Sequence, residues 1–145
     1  IEHQVLRKEF DEPRIHVALV CAAMSCPELR QEPFRGDKLS AQLDDQTRTF
    51  LATPDNFRID RDEGVVHLSS IFKWFGEDFV GTHEPEDGFG DRSDAERAVL
   101  SFAAGYLPNE DAEYLRTGEF DIRYIDYDWS LNEWDRGDQT EQPKE

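Results

Sequence analysis

The sequence predicts an α+β domain, a small mostly antiparallel sheet packed on helices. Three observations predict it: an amphipathic stripe over residues 37–51, a hairpin pattern over residues 56–68, and serine-capped apolar runs after Ser69 or Ser70 and after Ser93. The 145 residues suffice for one hydrophobic core, and residues 1–132 read as a single domain without internal repeats.

The elements follow in order. Residues 1–10 read as the end of a helix, with Val5 and Leu6 as its apolar residues. Residues 15–20 form a short apolar, β-branched run between Pro13 and the small residues Ala22, Ala23 and Ser25, which predicts a buried strand. Strand alternation puts His16, Ala18 and Val20 on one face and Val17, Leu19 and Cys21 on the other. Proline is favoured at the first position of a helix, so Pro27 predicts a helical turn through Glu28, Leu29 and Arg30, capped by Ser25 or Cys26. A cysteine there meets the positive end of the backbone dipoles, which favours thiolate. Cys26 is therefore the better-placed nucleophile on local physics.

Over residues 37–51, Leu39, Leu43, Thr47, Phe50 and Leu51 form one stripe, with Asp44, Asp45 and Arg48 facing water. The hairpin turns at residues 60–64. Ser69 or Ser70 caps a helix through Ile71, Phe72, Trp74 and Phe75 that stops near Gly76, and Ser93 caps one over residues 94–106. Residues 82–91 read as an acidic loop anchored by Phe89, and residues 119–128 as a late strand carrying Phe120, Ile122 and Tyr124 on one side. Residues 133–145 lack an apolar pattern and read as an acidic, disordered tail, in which the Arg136-Gly137-Asp138 triplet is coincidence.

Charge sets outer bounds. The net charge is −17 and the pI about 4.5, with 33 acidic residues against 16 basic ones spread along the chain. A phosphate polyanion would be repelled, so nucleic acid is excluded as a partner, and anionic membrane surfaces are disfavoured. No apolar run approaches the roughly 20 residues that span a bilayer, and no signal peptide is present. The lysines are Lys8, Lys38, Lys73 and Lys144. A surface so acidic and lysine-poor suits either a halophilic source or simply an acidic soluble protein.

Four segments together, IEHQVLR from Ile1, PRIHVALVCAAMSCPEL from Pro13, HLSSIFKWFGEDF from His67 and YIDYDWSLN from Tyr124, resemble the domain of unknown function 547 family of bacteria and plants. The resemblance runs from residue 1 to about residue 132, and its most specific part is His16-x4-Cys21-x4-Cys26-Pro27. It implies a thiol enzyme in a papain-like or transglutaminase-like layout, with a cysteine, a histidine and an acidic residue. Family members carry an upstream helical segment with an Asn-Ala-Tyr-Asn-like motif before the part matching Ile1. A missing upstream half is accordingly an expected partner.

A thiol enzyme needs a thiolate, a base within hydrogen-bond reach, a group orienting that base, and donors for an oxyanion. Cys26 or Cys21 supplies the first, His16 or His3 the second, Glu2 the third, and the backbone amides of residues 25–28 the fourth. The resulting expectation is a cysteine-dependent hydrolase or acyltransferase, peptidase-like or amidase-like, acting on a small-molecule or peptide substrate without a cofactor. Opposing it, Cys21 reads on local physics as a small core residue at a strand end, and His16 reads also as a backbone-bonded core histidine.

Two alternatives stand beside it. His3, His16, Cys21 and Cys26 offer the ligand types zinc prefers, although their spacing matches no standard finger. Trp74, Phe75, Phe79, Tyr124, Tyr127 and Trp129 with an acidic rim offer a groove for a cationic partner, although Trp74 and Trp129 are expected in the core. The cysteines, five positions apart, read either as a disulfide in an oxidising space or as two thiols in a reducing one and do not settle the compartment. The location is open, with periplasmic or extracellular favoured over cytoplasmic.

Overall fold

The structure, a computed structural model, describes residues 2–133, with side chains from Gln4 onward. The chain opens with a π-helical stretch, Glu2–Leu6, that runs into α1 (Arg7–Glu9) and a 3-10 helix, Pro13–Val17. Then follow α2 (Leu39–Ala52), β1 (Phe57–Asp60), β2 (Val65–Ser69), α3 (Ser70–Phe75), α4 (Glu77–His83), α5 (Asp94–Ala104), α6 (Asn109–Thr117) and β3 (Asp121–Ile125). Apart from Glu133, the tail reading over residues 133–145 and the Arg136-Gly137-Asp138 triplet lie outside the described residues. No described helix is long and apolar enough to cross a membrane.

The α+β class holds. The sheet has the order β1-β2-β3. β1 and β2 form the expected hairpin, pairing Phe57 with Leu68 and Asp60 with Val65. β3 instead lies parallel to β2, pairing Val65 with Asp121 and Ser69 with Ile125. The sheet is therefore mixed rather than mostly antiparallel, because the chain between β2 and β3 crosses over through four helices.

Local chemistry explains most boundaries. The Ser69 hydroxyl accepts from the Ile71 amide at 3.2 Å, and Ser93 with Glu96 makes a reciprocal capping box at α5. Gly76 stays right-handed at φ −55°, so a second helix, α4, begins at Glu77 where the sequence led us to expect only an end. α6 was likewise not anticipated; it ends at Gly118, whose φ of 66° is the left-handed conformation favoured by glycine.

Two expectations near the cysteines are corrected. Residues 13–17 form a 3-10 helix and not a strand: Pro13 occupies its first turn and the Glu12 carboxylate accepts from the Arg14 amide at 3.1 Å, so helical capping prevails over apolar alternation. Residues 27–30 form no helix, and Cys26 has no helix dipole behind it. The backbone there is held by α2 instead, where Gln46 donates to the Glu28 carbonyl at 2.8 Å and Asp45 accepts from Arg30 at 2.7 Å. A carbonyl spent on a glutamine is not available to a helical turn.

The core sits between the sheet and the helices. Phe72, Phe79, Phe102, Leu68, Leu100 and Leu115 are fully buried, and Phe50, Phe72, Phe79 and Phe102 touch in series with ring centroids 5.9, 5.7 and 4.9 Å apart. Each such ring contributes roughly 1.5–3 kcal/mol through burial. Phe89 anchors its loop from within this core. The two tryptophans expected inside are outside: Trp74 is 46% exposed and Trp129 70%. Leu39, at the start of the helical stripe, is exposed as well.

Candidate functional site

The cysteine loop and the last described residues meet. The loop after Val20 is clasped by the chain that follows β3, through Met24 N–H to the Ser130 carbonyl (2.9 Å), Ser25 N–H to the Asp128 carbonyl (3.2 Å) and Asn132 N–H to the Ala22 carbonyl (2.7 Å). Ala23 and Leu131 form an antiparallel bridge, and the Ser25 hydroxyl accepts from the Asp128 amide at 2.7 Å. Small residues at 22, 23 and 25 let the two backbones approach.

Within this clasp Cys21 and Cys26 are joined in a disulfide, their Cα atoms 5.8 Å apart. The Tyr127 hydroxyl lies 2.9 Å from Cys26 Sγ and 3.8 Å from Cys21 Sγ. Neither sulfur of a disulfide carries a proton, so the tyrosine is the donor. Burial pushes the Tyr127 hydroxyl above the ordinary tyrosine range, which keeps it protonated. Its ring is held by the two exposed indoles, with centroids 5.0 Å from Trp74 and 4.5 Å from Trp129, and the indoles stack on each other at 5.7 Å. Cys21 is exposed and Cys26 half-buried, so solutes reach the pair.

The remaining sequence candidates lie in other surroundings. His16 is 4% exposed, and its Nε2 is 2.8 Å from Asp78 Oδ2. The imidazole stacks on Phe75 at 4.3 Å with planes 6° apart. Arg7 Nε donates to the same Asp78 oxygen at 2.7 Å. The Arg7 guanidinium, with a smaller part from His16, holds the Asp78 carboxyl below its usual range against the opposing effect of burial. The acid bonded to His16 is thus Asp78 on α4, a residue that sequence reasoning missed because 62 positions separate the two. Glu2, proposed for that role, and His3 have side chains outside the described set.

The amides expected to serve an oxyanion are largely spent. Ser25 N–H goes to Asp128 and Cys26 N–H to the Ala23 carbonyl at 3.1 Å, and Pro27 has no N–H. The zinc alternative required the thiolates of Cys21 and Cys26, which here bond to each other. Among the described residues, no three or more His, Cys, Asp or Glu side chains are grouped to hold a metal ion.

Residues 1–51 match the family model described as a protein of unknown function, DUF547. That stretch lies in the N-terminal part of this chain and contains His16, Cys21 and Cys26. No curated protein and no solved structure matches the chain.

Proposed function

We propose that this DUF547-containing chain is a thiol–disulfide exchange protein whose working pair is Cys26 and Cys21. The observation that carries the reading is the Tyr127 hydroxyl, a donor 2.9 Å from Cys26 Sγ at an accessible disulfide. A donor so placed stabilises a sulfur anion more than a neutral sulfur, and thus favours Cys26 as thiolate in the reduced pair.

The chemistry balances as follows. With the pair reduced, the Cys26 thiolate attacks one sulfur of a substrate disulfide, forming a mixed disulfide and expelling a substrate thiolate that takes a proton from solvent. The Cys21 thiolate, its proton lost to solvent, then attacks Cys26 Sγ, closing the Cys21–Cys26 bond and releasing the second substrate thiolate, which is protonated in turn. Two electrons pass from the cysteine pair to the substrate, and an external thiol reductant restores the pair.

The hydrolase or acyltransferase reading draws on the same Cys26 thiolate with His16 as base. Exchange is favoured over it because exchange needs no oxyanion donors, and the Ser25 and Cys26 amides are already bonded.

The test uses the reduced protein and hydroxyethyl disulfide, a neutral probe. The Cys21→Ser variant is expected to trap a mixed disulfide at Cys26 at least tenfold faster at pH 7 than Cys26→Ser traps one at Cys21, as read by intact mass and peptide mapping. Trapping no faster than a free cysteine peptide at either position would refute exchange. Turnover of amide or thioester substrates by the reduced wild type, abolished by Cys26→Ser, would establish the acyl-transfer reading in its place.

A further inference from the structure

Beside Cys26 the molecule holds a cavity of about 470 Å3 whose wall includes Cys26, Asn56, Asp55, Asp126, Asp128 and Glu28. The cavity opens on the sulfur that the exchange reading makes the nucleophile. Its charged lining is entirely anionic: the wall carries carboxylates from three separate stretches of chain and no lysine or arginine. The Asp128 carboxylate accepts from the Ser130 amide at 2.9 Å and from its hydroxyl, while the side chains of Asp55, Asp126 and Glu28 make no hydrogen bond or ion pair among the described residues.

A second feature is independent of charge. Asn56 is only 9% exposed, its backbone N–H and carbonyl are used by Thr53 and Ser69, and its side-chain amide has no hydrogen-bond partner among the described residues. The polar atoms of that amide are not among the sealed, unpartnered ones, so they face the solvent of the cavity, where a ligand donor would take the place of water on the Asn56 oxygen. An alkylammonium has three donors and no acceptor, matching a carboxylate-lined wall with one carbonyl-type acceptor. The four carboxylates are exposed and hydrated, so an anionic substrate would be repelled by them and an apolar one would gain nothing from them.

We infer that the cavity selects the substrate, and that the substrate is a small disulfide bearing an aliphatic ammonium group, held by the carboxylates and the Asn56 side-chain oxygen with its sulfur against Cys26. This rests on the exchange reading and names its substrate class.

The experiment measures second-order rates of the reduced Cys21→Ser protein with cystamine, hydroxyethyl disulfide and oxidised glutathione, each divided by the rate for a free cysteine peptide. Cystamine is expected to exceed the neutral probe about tenfold and the anionic one by more, with the preference collapsing in molar salt. Asp55→Asn with Asp126→Asn should cut the cystamine preference at least threefold, and Asn56→Ala should cut it too. Glu110→Gln with Glu119→Gln, the same change of charge elsewhere on the surface, should leave the preference intact; an equal loss there would assign it to overall charge and overturn the cavity. Fast reaction with all three probes at equal ratios would sink the substrate class and leave exchange standing. Rates no faster than the peptide for every probe would sink exchange itself. A lysine-flanked cysteine peptide disulfide that outpaces cystamine would overturn the small-molecule form and give the cavity to a basic protein segment.

Discussion

Removing one oxygen atom tests the Cys26 assignment. Tyr127→Phe keeps the ring between Trp74 and Trp129 and deletes the donor 2.9 Å from Cys26 Sγ. A hydrogen bond to a charged group contributes about 1.5–3 kcal/mol, and the half-exposed setting of Tyr127 argues for the lower end, close to the 1.36 kcal/mol of one pK unit. In the Cys21→Ser background, where Cys26 is the single thiol, its apparent pKa should therefore rise by about one unit. Below the pKa the thiolate fraction falls about tenfold, while each remaining thiolate becomes about threefold more nucleophilic for a Brønsted coefficient near 0.4–0.5. The net expectation at pH 7 is alkylation about threefold slower, with a limiting rate at high pH about threefold faster. Iodoacetamide labelling against pH, followed by mass spectrometry, reads both arms. An apparent pKa unmoved within about 0.2, or moved down, would refute the reasoning, since no rearrangement of the ring is needed to lose the hydroxyl.

Other expectations concern the frame that holds the site. Asp78→Asn should cost about 2 kcal/mol by urea denaturation at pH 7, because Arg7 and the buried His16 lose an anionic partner that is itself only partly exposed; a cost under about 0.3 kcal/mol would show the cluster to be idle. Since the folded-state pKa of Asp78 is lowered, its contribution is present above the ordinary aspartate value and lost as pH falls through the folded one, so the variant should show a flatter acid limb. Burial lowers His67 and His83, so the unfolded chain takes up protons first and stability should decline as pH drops below about 6.5; His83→Gln should flatten that decline. Gly118→Ala should destabilise by about 3 kcal/mol in thermal or urea melts, because a Cβ at φ 66° would stand 2.6 Å from the Phe89 carbonyl carbon; wild-type stability would refute the close packing of these loops.

The fold was legible wherever a local pattern was strong. The α2 stripe, the hairpin around its acidic turn and the caps at Ser69 and Ser93 all have signals within a few residues of the element. Patterns failed where a competing local signal or a distant partner decided. Residues 15–20 alternate like a strand, but the conformation was settled by Pro13 and a Glu12 side chain that also binds Arg14, itself tied to Asp44 on α2 at 2.8 Å. Pro27 promised a helix whose carbonyl Gln46 takes. Of the candidate site, the cysteines were visible as a pair, whereas Tyr127 and Asp78, at separations of 101 and 62 residues from Cys26 and His16, carry no local mark of their roles. Trp74 and Trp129 read as core by hydrophobicity alone, yet pack on Tyr127 at the surface.

The clasp between residues 22–25 and 128–132 has a consequence for how the molecule is made. The two cysteines are five positions apart and can join as soon as both leave the ribosome, while Tyr127 follows Cys26 by 101 residues. At about 5–20 residues per second, that separation is roughly 5–20 seconds of synthesis during which the sulfurs meet their surroundings without the tyrosine. The bond between them is settled early and locally, by whatever oxidant is at hand; its tuning arrives with nearly the last described residues. A nascent chain stopped short of position 127 would close the small ring and still lack the donor, so the sulfurs are an ordinary pair until Tyr127 has been added and has folded back onto them.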